Sequence, residues 1–123
     1  MTELKGYHAH VYYDRQSRDV AERLRQTLIS RFPVKPGGFS DDPIGPHPIP
    51  QFNVMFETDA FQEVVPFLMF NRDNLAVLVH PLTDDMYADH SDHALWLGPP
   101  VDLKLDGMRQ RQYRDSLLPT ATS

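Results

Sequence analysis

Polar and apolar positions alternate at the start of the chain. In Tyr7-His8-Ala9-His10-Val11-Tyr12-Tyr13 an extended backbone sends Ala9 and Val11 to one face and His8, His10 and Tyr12 to the other. The first face suits a core. The second, with two imidazoles and a phenol, reads as the floor of a site. The period then lengthens. Val20, Leu24 and Leu28 recur every fourth residue with Ala21 and Ile29 beside them, which predicts an amphipathic helix from Gln16 to Phe32, stopped by Pro33. Val34 to Phe39 reads as a short edge strand, because Pro36 has no amide to give to a ladder. Ser40 to Pro50 is a loop rich in proline, and it contains Gly45-Pro46-His47-Pro48, where two prolines restrict the backbone around an imidazole.

Strict alternation returns at Gln51 to Glu57. Phe52, Val54 and Phe56 face the core, and Gln51, Asn53, Met55 and Glu57 lie opposite. Thr58 caps a predicted helix running to about Arg72, with Phe61, Val64, Val65, Leu68 and Met69 inward and Pro66 as a kink or local break. Leu75 to His80 is a compact apolar strand ending in an imidazole, with Ala76, Leu78 and His80 sharing a face. A polar loop from Leu82 to Asp92 follows, then a last extended segment, His93 to Gly98, with the only tryptophan, Trp96. Beyond it the pattern dissolves into an irregular tail. A short helix is expected near Met108 to Leu117 and fraying from Pro119 to Ser123.

This order is the split βαβ pattern. It predicts an α+β, ferredoxin-like βαββαβ sandwich: an antiparallel sheet with two helices on one face and an extra C-terminal strand. The first strand then lies between the third and fourth, and its start pairs with the end of the fourth. His8 and His10 are therefore expected beside His80.

Composition narrows the function classes. The 123 residues fit one domain, spanning 1–123, with the recognisable segments in 7–98 and the irregular tail in 99–123. A net charge of −5 gives no nucleic-acid footprint and no polybasic membrane patch. No apolar run approaches the roughly 18 residues of a membrane span, and the N-terminus lacks the apolar core of a signal peptide. A cytoplasmic location is the default expectation. No cysteine is present, so any metal would be held by nitrogen and oxygen. The six histidines are His8, His10, His47, His80, His90 and His93, and none lies on a predicted helix. Several imidazoles with a carboxylate suit iron, zinc, copper or nickel, and Glu57, Asp85 and Asp89 are the available carboxylates. Plainer readings stand beside this one. His8 and His10 suit an exposed sheet face, His80 a strand end bonded to the backbone, His90 a cap, and Tyr12 and Trp96 ordinary packing. No serine-nucleophile motif, phosphate-binding glycine loop or HExxH helix is present.

Four segments in order carry a resemblance: Tyr7-His8-Ala9-His10-Val11-Tyr12-Tyr13-Asp14, Pro43-Ile44-Gly45-Pro46-His47-Pro48, Leu78-Val79-His80-Pro81, and Asp89-His90 leading to Ala94-Leu95-Trp96-Leu97-Gly98. Together they resemble the DOPA 4,5-dioxygenase family of small extradiol dioxygenases. The resemblance implies a ferredoxin-like fold and opening of a catechol ring by molecular oxygen with non-haem Fe(II), although zinc or another divalent metal is possible in a purified sample. Its motifs carry His10, His47, His80 and His90, which implies His10, His47 and His80 as metal ligands; a non-ligand histidine, His90 or His8, is the candidate acid or base. Tyr12, Asn53 and Trp96 are the candidate substrate contacts. The expected partners are a small aromatic substrate and O2, with no nucleic acid and no membrane, and the chain is expected to form a homodimer. Two other classes compete: a binding or dimerisation module with a histidine-lined pocket and no turnover, and a zinc-dependent enzyme such as a hydrolase or isomerase.

Overall fold

The computed structural model describes residues 2–109 and 111–119. Five strands form one antiparallel sheet: β1 (Tyr7–Tyr12), β2 (Lys35–Ser40), β3 (Gln51–Phe56), β4 (Val77–Pro81) and β5 (Leu95–Leu97), in the order β2-β3-β1-β4-β5. Helices α1 (Arg18–Arg31) and α2 (Phe61–Asn71) follow β1 and β3, so the architecture is the predicted α+β sandwich with an added edge strand. The central strand is β1. Its register pairs His10 with Asn53 on one side and His8 with His80 on the other.

Strand parity sorts the sheet into two faces. Ala9, Val11, Phe52, Val54, Phe56, Val77 and Val79 pack against Ala21, Leu24 and Leu28 of α1 and Val64, Val65 and Leu68 of α2. The opposite face is also buried, because the loops and the tail cover it. His8, His10, Tyr12, Gln51, Asn53, Met55, Leu78 and His80 are all withdrawn from solvent. The exposed sheet face that a dimerisation module would use is therefore closed over here.

Local departures from expectation have local causes. Met69 was expected inward but is 48% exposed. It lies about 100° past Leu68 on the helix, on the solvent flank of the buried stripe. Pro66 sits on the exposed side of α2, which continues through it. The segment 58–60 is a 3-10 turn ahead of α2 rather than its first α-helical turn, and Thr58 makes no capping bond. The loop 82–92 contains a one-turn helix α3 (Met86–Asp89), capped by Asp85, which accepts the Ala88 amide at 3.0 Å. The helix expected near 108–117 is reduced to a 3-10 turn at Asp115–Leu117, since the tail has no apolar stripe to bury. Of the stretch expected to fray, Pro119 packs over Gly6, and residues 120–123 lie outside the described residues.

The edge strand β2 carries a bulge between Pro36 and Phe39. Glycine is required there. A Cβ on Gly37 would come within 1.9 Å of Asn53 Oδ1, so its absence is what lets the Asn53 amide lie across β2.

Candidate metal centre

Five of the six histidines converge on the covered face. The sheet supplies His8 and His10 from β1 and His80 from β4. His47 arrives on a tight turn, where Ile44 and His47 exchange both backbone hydrogen bonds at 3.0 and 3.1 Å around Gly45 and Pro46. Gly45 has φ +56°, the left-handed conformation that the first central position of such a turn demands. The Lys104 amide pins the turn through the Pro46 carbonyl at 2.8 Å. His90 follows α3. Their residual exposures run from 0% for His80 to 5% for His47 and His90. His93 is exposed and stands outside the cluster.

Each imidazole has one nitrogen committed to an outer partner. His10 Nδ1 donates to Gln51 Oε1 at 2.8 Å, His80 Nδ1 to the Pro81 carbonyl at 2.8 Å, and His90 Nδ1 to the Met86 carbonyl at 2.8 Å. His8 uses its other nitrogen, Nε2, to donate to the Leu117 carbonyl at 2.5 Å. His47 Nδ1 is bonded to the Tyr12 hydroxyl at 2.7 Å. The second nitrogens turn inward. His10 Nε2 lies 3.1 Å from His80 Nε2 and 3.4 Å from His8 Nδ1. Because the outer carbonyls accept protons, the inward nitrogens of these three rings present lone pairs to one another. Lone pairs that close repel unless a cation sits between them.

The donor set fits a metal on this observation. A metal bonded to nitrogen at 2.0–2.1 Å brings neighbouring ligand atoms to about 2.9–3.4 Å of one another. Two triads come within reach of a shared ion, His8–His10–His80 and His10–His47–His90, with His10 common to both. The outer hydrogen bonds orient the rings in the way that supports ligating histidines elsewhere. Burial depresses all five imidazoles: His8 to about 4, His47 to about 3, and His10, His80 and His90 below the usual value, with neighbouring imidazoles adding to the effect at every one but His90. Neutral rings are the form that coordinates.

The carboxylates do not join the cluster. Glu57 is exposed at the end of β3, and Asp85 caps α3. Asp89 is fully buried, but it accepts from the Thr83 amide at 2.8 Å, the Thr83 hydroxyl at 2.6 Å and the Tyr113 hydroxyl at 2.8 Å. Among the described residues the centre is all imidazole. Of the expected substrate contacts, Tyr12 stacks on Trp96 with centroids 5.9 Å apart, at the margin where Tyr12 also holds His47. Asn53 is buried beside His10, and its Oδ1 has no hydrogen-bond partner.

Gln51, Tyr113 and the Leu117 carbonyl were not singled out from the sequence. Parity placed Gln51 on the polar face of β3, and pairing with β1 was the signal that could have found it. Tyr113 and Leu117 lie in a stretch without periodicity, so no pattern pointed to them. A separate cleft of about 810 Å³, lined by Arg18, Glu22, Arg23, Gln26 and Phe39, lies away from the histidines against α1.

Comparison with known proteins agrees with this geometry. A family model described as the Dopa 4,5-dioxygenase family matches residues 7–107. A DOPA 4,5-dioxygenase of Amanita muscaria is 32% identical over 118 residues, covering 85% of this chain and 50% of its own length. An uncharacterised 21.2 kDa protein of Botryotinia fuckeliana is 33% identical over 114 residues, covering 81% and 62%. The chain thus spans about half to three-fifths of the curated relatives it matches. The crystal structure of a candidate dioxygenase from Nostoc punctiforme is 48% identical with a TM-score of 0.82, covering 84% of this chain and 90% of that one.

Proposed function

The chain belongs to the Dopa 4,5-dioxygenase family, and from that membership we propose that it is a non-haem iron extradiol dioxygenase acting on a catechol. The observation that carries the reading is the 3.1 Å approach of the His10 and His80 Nε2 atoms, whose outer protons are both committed. His10, His80 and His8 would hold the metal, since these three have the shortest inward contacts. The sequence resemblance designates His47 in place of His8. Metal content of the His8→Ala and His47→Ala variants separates the two sets: the ligand variant loses metal and the other keeps it.

Ferrous iron, held by these imidazoles, would supply an electrophilic, redox-active site for a catechol and O2. The remaining work falls to the chain. His47 and His90 bring two further imidazoles to the centre beside the proposed ligands, and one of them would accept the substrate's hydroxyl proton. Tyr12 and Trp96 offer aromatic faces at the margin, where a catechol ring can stack. Asn53, buried and paired with His10 in the sheet register, is the remaining candidate substrate contact. Loops and tail exclude water from the centre.

Anaerobic loading with Fe(II), followed by air and a series of catechols, tests the proposal. Oxygen uptake with formation of a yellow semialdehyde is expected, both oxygen atoms entering the ring-opened product. Absence of uptake with every catechol at full iron occupancy removes the dioxygenase reading. Turnover with zinc alone on a hydrolysable substrate would instead favour a zinc enzyme. Light scattering in solution checks the expected homodimer. Among the described residues no helix is long and apolar enough to cross a membrane.

A further inference from the structure

The C-terminal segment 111–119 lies beyond the stretch matched to the family, yet it forms one side of the centre. Two successive carbonyls face the covered sheet. That of Leu117 accepts from His8 Nε2 at 2.5 Å, and that of Leu118 accepts from Lys35 Nζ at 3.3 Å. Tyr113 donates its hydroxyl to Asp89 Oδ2 at 2.8 Å. Its ring centroid lies 6.0 Å from that of His8 and 6.4 Å from that of His80, within 12° of parallel to the latter. Leu118 is buried, and Pro119 fills the space above Gly6, where a Cβ would meet Pro119 Cγ at 2.4 Å.

These contacts differ in kind from ordinary packing. His8 has one nitrogen facing His10 and one facing the tail, so the Leu117 carbonyl sets the rotation of the ring about its inward lone pair. Asp89 precedes His90 and needs three donors to remain buried as a carboxylate. Two come from Thr83, and Tyr113 supplies the third.

We propose that residues 111–119 are an integral wall of the metal centre, in which the Leu117 carbonyl and Tyr113 are positioning groups: the first fixes His8 toward His10, and the second latches the tail to Asp89 behind His90. This rests on His8 being a ligand, as argued above. Outer partners of ligating histidines are generally worth about 10–100-fold in metal affinity, and here one such partner is carried by a segment outside the sheet.

The test uses zinc as the probe and needs no turnover. Two variants are compared with the full chain: Tyr113→Phe, which keeps the ring and removes the hydroxyl, and a chain ending at Arg109. Zinc affinity is measured by competition with a chromophoric chelator. In the metal-free protein, labelled-histidine NMR follows the His8 Nε2 proton. In the full chain that proton is expected to be protected from solvent exchange. In both variants it is expected to lose protection and zinc to bind roughly 10–100-fold more weakly, with unchanged far-ultraviolet circular dichroism. Unchanged zinc affinity with a protected His8 proton in Tyr113→Phe overturns the proposal, and that variant decides the matter if the shortened chain does not fold. Because neither readout involves iron, oxygen or a catechol, failure here is distinct from failure of the dioxygenase reading.

Discussion

His10 presents Nε2 to the centre because its Nδ1 proton goes to Gln51 Oε1 at 2.8 Å. Replacing that amide by an apolar group of similar size leaves a buried imidazole proton without an acceptor, which frees the ring to rotate or to move the proton to Nε2. Gln51→Leu is therefore expected to weaken metal binding by about 10–100-fold while the fold survives; metal competition alongside thermal melting checks both halves. The histidines themselves were readable from the sequence, because strand parity and proline spacing single out His8, His10, His47 and His80. Their partners were less so. Three of the five imidazoles are oriented by backbone carbonyls, those of Pro81, Met86 and Leu117, and a carbonyl leaves no mark in residue identity. The available carboxylates illustrate the same limit. Asp89 sits next to His90 in the chain, but Thr83 and Tyr113 have already claimed its oxygens.

At the scale of elements, the three inner strands and two long helices followed from the hydrophobic pattern, the edge strand β2 was suggested only by Pro36, and pairing of the first strand with the fourth placed His80 opposite His8. The edge strand shows why small details matter to the site. Its bulge and Gly37 make room for the Asn53 amide, whose Oδ1 lies over Gly37 without a hydrogen-bond partner. Gly37→Ala puts a methyl group into that amide, so a destabilisation of about 1–3 kcal/mol is expected from overpacking. Urea unfolding measures it, and an unchanged midpoint would mean that the amide has another place to go. The tail was legible only as irregular. Its order comes from long-range contacts, Tyr113 to Asp89 and Lys35 to Leu118, which no local pattern encodes.

Across the whole molecule the buried imidazoles couple folding to pH. In the unfolded chain they titrate near 6.5, whereas in the fold His8 is pushed down to about 4 and His47 to about 3. Below 6.5 the unfolded chain binds more protons, so stability is complete above that pH and is lost as pH falls toward 4 and below. Metal-free protein is expected to melt progressively earlier between pH 6.5 and 4, as a pH series of thermal melts would show. Metal binding acts in the opposite direction. At a free concentration near 100 times the dissociation constant it adds about 2.7 kcal/mol, raising the melting temperature by about 10 °C, and a chelator should reverse the shift. That no carboxylate joins the imidazoles among the described residues bears on charge balance. An ion seated among uncharged rings keeps both of its positive charges, inside a chain whose net charge is −5. The centre would then be a local anion well in an acidic molecule, offset in part by the buried Asp89 beside His90, and an anionic guest would supply further negative charges. A doubly deprotonated catechol brings them, so small anions such as azide or cyanide should compete with substrate more effectively than neutral ligands of the same size.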